Sequence, residues 1–311
     1  MLPFRRALER HVHKLVGFGS GEVDLDHGDA GLFGPESAAW KVHADFTTMM
    51  VGGVAALLVQ MLHPSALAGV WDHSDFRTDM LGRLRRTAQF VSGTTYGSTE
   101  QAGRLIQRVR KVHDRVQGAL PDGSPYSAND PALLTWVHVA EVASFMAAYL
   151  RYRDPAFPRE EQDRYFAETA VIAERLGARE VPTSAKAVEE YFSEMRPQLR
   201  ADERTRAVAD ALLSQSPSHP ALAPFGRVLL QGGAALLPDW AARMHRIDLM
   251  PAFTIGAGVR SVGQVMRWAL RDSSAKRARR RVERLAAEHM IHERAQSREA
   301  AGGEAGDAVA R

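Results

Sequence analysis

The chain has 311 residues, 45% of them hydrophobic and 25% charged, with a formal net charge of +3 and no cysteine. That composition suits a soluble globular protein of one large domain or two. The lack of cysteine excludes disulfides, thiolate metal sites, iron–sulfur clusters and a cysteine-ligated haem. The positive excess sits in one place, where Lys276, Arg277, Arg279, Arg280, Arg281 and Arg284 face a single acid, Glu283, so the rest of the chain is slightly acidic. A nucleic-acid-binding body is therefore not indicated.

The first residues are basic but lack the uninterrupted apolar run of a secretory signal, which gives a cytoplasmic expectation. Residues 3–17 carry Phe4, Leu8, His11, Val12 and Leu15 at helical spacing and predict a short amphipathic helix before a Gly/Asp-rich loop to Pro35. His11 and His13 are too close in sequence to share a helical face and read as surface or packing residues. Residues 36–62 form the most apolar stretch, without a charge from Phe46 to Leu62. It contains Thr47, Thr48, Gly52, Gly53 and Gln60 and is barely long enough to span a bilayer, so a buried central helix is expected. Gly52-Gly53 inside it suits close approach of either a neighbouring helix or a flat ligand.

His63-Pro64 ends that helix, and a short helix to Trp71 and a turn at Asp72-His73-Ser74 follow. Over residues 81–90, Arg83, Arg86, Thr87 and Phe90 fall at i, i+3, i+4 and i+7, with Leu81, Leu84, Ala88 and Val91 on the other side. Ser98 and Gln101 have the spacing of a capping box. The helix they open places Leu105, Val109, Val112 and Val116 on an apolar face, with His113 among them and pointing inward. Such a histidine is either a core residue satisfied by one hydrogen bond or a neutral ligand to iron.

Residues 118–130 are dense in turn residues, and Asp130-Pro131 starts a helix to about Arg151. On it His138 and Glu141 share a face, so the carboxylate is placed either to orient the imidazole or to bridge two helices. Further helices are expected over residues 159–176, from Ser184 towards Pro197, over 201–214 and over 262–296. The basic cluster reads as a solvated helix face and the last twelve residues as disordered. No strand alternation and no internal repeat is visible. The expectation is an all-α protein with one multi-helix domain around a buried pocket at residues 36–270, preceded by a helix and loop (1–35) and followed by a basic helix and tail (271–311).

The runs HPSALAGVWDHSDFR, LGRLRRT, VHDRVQG and PYSANDPALLTWVH, in that order, resemble the MpaB-type oxygenase family, which includes the rubber oxygenases. The resemblance covers roughly residues 38–200. It implies an all-helical fold, a b-type haem with iron, and oxygenation of an apolar, isoprenoid-like small molecule by dioxygen; the apolar run and the basic cluster by themselves give membrane contact that is at most peripheral. Carried across the motifs, it makes His113 the iron ligand and places Arg83 and Thr87 on the oxygen side of the pocket as catalytic residues. Arg86 stands where rubber oxygenases have a lysine. A guanidinium stays protonated and ligates iron poorly, so Arg86 is read as a partner for a haem propionate and His138 as a supporting cofactor residue. The base carboxylate of the rubber enzymes has no clear counterpart, Asp72 being the nearest acid, so polymer cleavage is not implied. His63 and His73 read as structural residues near the pocket. P-loop, dinucleotide-binding, HExxH, GxSxG and paired Glu-x-x-His motifs are missing. The alternative to an oxygenase is a non-catalytic haem- or lipid-binding helical protein.

Overall fold

The computed structural model describes residues 23–216, 223–247, 252–270 and 272–307. The helix expected over residues 3–17, with His11 and His13, lies outside them. Thirteen α-helices follow one another among the described residues: α1 (Ala38–His43), α2 (Phe46–Gln60), α3 (Pro64–His73), α4 (Met80–Tyr96), α5 (Thr99–His113), α6 (Pro131–Tyr152), α7 (Arg159–Leu176), α8 (Ala185–Met195), α9 (Glu203–Leu213), α10 (Ala223–Ala234), α11 (Asp239–His245), α12 (Ala252–Ala269) and α13 (Ser274–Asp307). The protein is all-α, as its apolar periodicities predict.

One exception is a two-stranded antiparallel ribbon, β1 (Gln117–Ala119) and β2 (Pro125–Ser127), with Gly118 opposite Tyr126. No strand was expected there, because three residues are too few to show an alternation. The hairpin is closed by the Asp122 carboxylate, which accepts from the Ser124 backbone N–H at 2.9 Å, and by Gly123 at φ 85°, a left-handed conformation that favours glycine.

The centre of the molecule is the α2–α6 pair. Asp45 starts α2 by accepting from the Thr48 backbone N–H at 3.0 Å, which satisfies one of the free donors at a helix start. A Cβ at Gly52 would lie 2.8 Å from Phe145 Cδ1 and 3.0 Å from the Ser144 carbonyl oxygen. Gly52 therefore serves helix–helix contact rather than a flat ligand, and it lets the backbones of α2 and α6 touch. Polar side chains bridge the same pair: Gln60 Nε2 donates to the Val137 carbonyl at 2.9 Å and Trp136 Nε1 to the Gln60 carbonyl at 3.2 Å. Trp136 is completely buried.

The apolar run 46–62 is thus a 15-residue helix, followed by α3 at a bend of 105°. Proline at the first position of α3 and His63 as its cap make that bend, with His63 Nδ1 accepting from the Ser65 N–H at 3.2 Å. Among the described residues the 22-residue α6 is long and apolar enough to cross a bilayer by itself, as the bent α2–α3 pair is together, but 67% of the most apolar window of α6 is buried in the protein.

Helices α4 and α5 form an antiparallel pair around Gly97. Ser98 caps α5 by accepting from the Gln101 N–H at 3.3 Å, but the expected return bond is replaced: Gln101 Oε1 accepts from the Asp24 N–H at 3.0 Å instead. The apolar face of α5 is also rotated from the expected one. Ala102 and Ile106 are its buried hydrophobics, whereas Val112 is 50% exposed.

The basic cluster of α13 is solvated at Lys276, Arg279, Arg280 and Arg284, but not at Arg281 and Arg277. Arg281 is 1% exposed and donates to the Leu25 carbonyl at 3.1 Å and the Tyr96 carbonyl at 2.8 Å. Arg277 pairs with the Asp26 carboxylate, and burial against carbonyls is what a guanidinium's fixed fork of donors allows. The start of α13 thereby clasps the strap of residues 23–31 onto the body. The tail expected to be disordered continues α13 to Asp307, since propagating an established helix costs little compared with starting one.

Candidate functional site

Between α2, α4, α6 and α10 lies a cavity of about 280 Å³. Its walls are mostly apolar, with Met49, Leu57, Leu84, Phe145 and Leu229 among them, and Val23, Leu25 and Ala275 bring the clasped strap over one side. Gly53, unlike Gly52, faces the cavity: a Cβ there would meet only Phe145 Cε1 at 3.9 Å.

Polar side chains interrupt the wall, among them Thr87, Gln60, His43 and Glu141. Thr87 reaches it from α4, with its Oγ1 donating back to the Arg83 carbonyl at 3.2 Å. Gln60 lines it while its amide is held by Val137. His43, at the end of α1, has both ring nitrogens engaged, Nδ1 with Thr95 Oγ1 at 2.8 Å and Nε2 with Tyr165 Oη at 2.9 Å. Burial pushes its pKa down to about 3, so it is neutral. Glu141 lies deep in the protein with one side open to the cavity, makes no hydrogen bond or ion pair among the described residues, and is pushed up to about 7 by burial.

The expected Glu141–His138 pair is not formed. His138 stands one turn earlier on α6, and its buried Nε2 has no partner among the described residues. Burial lowers its pKa to about 4. A carboxylic acid half-protonated near neutrality has little electrostatic pull on a neutral imidazole, and Glu141 faces the cavity instead.

Arg83, Arg86 and His113 lie towards the far end of the α4–α5 pair. Leu105 lies against Gly93 near the turn. Counting away from that contact along both helices puts Arg83 and His113 at about the same level of the pair. His113 is lowered by burial, against a smaller opposing effect of Asp114, and its Nδ1 is buried without a partner. Arg83 is lowered to about 10, first by burial and then by the neighbouring Arg86, and its guanidinium has no acceptor among the described residues. Neither residue lines the 280 Å³ cavity; Thr87, one turn from Arg83, links the two regions. Arg86 is directed away, to Asp79 Oδ2 at 3.4 Å with both side chains more than half exposed.

His63 and His73 are occupied structurally. His63 caps α3 and lies 5.9 Å from Trp136, and His73 Nε2 is 3.2 Å from the Gln117 carbonyl oxygen. Asp72 accepts from Tyr126 Oη at 2.7 Å, which holds β2 to α3 and removes it as a candidate base. Sequence reasoning missed His43 and the cavity-facing role of Glu141. The partners of His43 lie 52 and 122 residues away, beyond any local pattern.

A largely apolar cavity, open on one side, with one unpartnered carboxyl and set in an all-α body, is suited to a small apolar molecule. Residues 40–268 match the family described as ER-bound oxygenase mpaB/B′/rubber oxygenase, catalytic domain. The chain belongs to that oxygenase family and is an enzyme of the oxygenase class. No curated protein and no solved structure is significantly similar to it.

Proposed function

We propose that this protein is a haem-b-dependent oxygenase that inserts oxygen from dioxygen into an apolar, isoprenoid-like small molecule. The observation that carries the reading is the pair of deep, unpartnered groups Arg83 and His113. Buried polar groups are nearly always hydrogen-bonded, and a neutral imidazole together with an unpaired guanidinium is a donor set that a haem, with its iron and its anionic propionates, would satisfy. Among the described residues no cluster of three or more His, Asp or Glu could hold a bare metal ion, whereas a haem iron needs a single histidine from the protein.

His113 is the residue that would hold the haem iron, and the haem would supply the activation of dioxygen. Arg83 keeps its proton at any working pH and sets a fixed positive charge where negative charge develops, in surroundings too dry to screen it. Thr87 Oγ1 spends its proton on the Arg83 carbonyl, which leaves the oxygen only as an acceptor at the cavity edge. The apolar walls orient the substrate and exclude water. Arg86, being bound to Asp79, takes no part, and His138 supports the α6 wall.

Absorbance of the purified protein tests this reading: a Soret band after expression with haem supply is expected. Its lack after reconstitution would contradict the proposal. Turnover of polyprenyl compounds with dioxygen then separates an oxygenase from a protein that only stores haem or lipid.

A further inference from the structure

The cavity is selective in charge as well as in size. Among the described residues, no lysine or arginine lines it. Of its ionisable lining groups, Asp272 is paired with Arg280, His43 is neutral with both nitrogens engaged, and Tyr96 donates its hydroxyl to the Trp40 carbonyl at 3.2 Å. Glu141 alone is left without a partner. An anion brought into such a space would lose its hydration, find no cation and meet a carboxyl of its own sign, a combination that buried charges do not tolerate.

We propose that the cavity takes an uncharged apolar alcohol, that Glu141 accepts the hydrogen bond of its hydroxyl, and that carboxylate- or phosphate-ended amphiphiles are rejected. The proposal rests on reading this cavity as the substrate side, and not on the presence of haem. A carboxyl near half-protonation suits the task, because both its forms present an oxygen acceptor to a hydroxyl. The cavity, about 280 Å³ and open on one side, has room for a chain of the length of octanol.

Calorimetric titration of the full chain at pH 8 with octan-1-ol and with octanoate tests it, in haem-free and haem-loaded protein alike. Octanol is expected to bind at least tenfold more tightly than octanoate. Glu141→Leu is expected to lose about tenfold in octanol affinity and so to narrow the gap, while Glu141→Gln, which keeps a carbonyl acceptor, stays near the wild type. Equal affinity of the wild-type protein for the two ligands, no octanol binding, or an unchanged octanol affinity in Glu141→Leu would overturn the proposal. The wild-type comparison stands even if Glu141→Leu fails to fold. Loss of the haem reading alone leaves these binding results in place, so the two failures are distinguishable.

Discussion

Glu141 and His138 stand one helical turn apart on α6, both deep in the protein, and make no hydrogen bond to each other. Burial raises Glu141 to about 7 and lowers His138 to about 4, with His43 lowered to about 3. The two histidines stay neutral in the fold but take up protons in the unfolded chain near 6.5, so the stability they contribute above that pH is lost as pH falls. Glu141 has the opposite sign: its contribution is complete below 4.5 and is lost as pH rises towards 7.

Between pH 6.5 and 4.5 each group contributes a slope of about 1.4 kcal/mol per pH unit, two acting against one. Burial lowers His63, His113 and His245 as well, and these act alike in both proteins. Removing the carboxyl in Glu141→Gln therefore steepens the loss on acidification by about 1.4 kcal/mol per unit relative to the wild type. Urea unfolding at pH 6.5, 5.5 and 4.5 measures both slopes, and parallel curves for the two proteins would refute the burial of Glu141 as an unpaired acid.

Adjacent glycines on α2 should respond differently to the same substitution. Gly52→Ala drives a methyl against Phe145 and the Ser144 carbonyl, an overpacking cost of about 1–3 kcal/mol against a helix-propensity gain of about 1 kcal/mol. A net loss is expected, seen as a lowered Tm. Gly53→Ala meets only ordinary contact, keeps the propensity gain and trims the cavity, so its Tm should rise.

Arg281→Met removes the fork that ties α13 to the Leu25 and Tyr96 carbonyls. Leaving those acceptors unpaired costs about 1–3 kcal/mol, and most of that loss falls on the strap of residues 23–31. Limited proteolysis should cut the variant there before the helical body, whereas Arg280→Met, on an exposed side chain, should be cut no faster than the wild type.

The parts of this structure legible in the sequence are those governed by local period. The Arg83–Thr87 stripe, the Asp130-Pro131 helix start and the uncharged run of α2 all follow from spacing within one helix. What escaped depends on contacts far apart in the chain. Arg281 is indistinguishable in sequence from its exposed neighbours Arg279 and Arg280, and only the carbonyls of Leu25 and Tyr96 bury it. His43 lies in a six-residue helix with no amphipathic pattern to mark it. Glu141 was seen beside His138, but that it turns to a cavity depends on α2, α4 and α10 packing around it.

The account rests on His113, the buried imidazole on α5 whose Nδ1 lacks a partner. Haem stoichiometry, read as the ratio of Soret to protein absorbance in His113→Ala and His138→Ala purified beside the wild type, tests it most directly, with circular dichroism confirming that each is helical. The expected result is folded His113→Ala without stoichiometric haem and His138→Ala that keeps haem with reduced stability. A full complement of haem and an unchanged spectrum in His113→Ala would contradict the account and move the iron to another histidine.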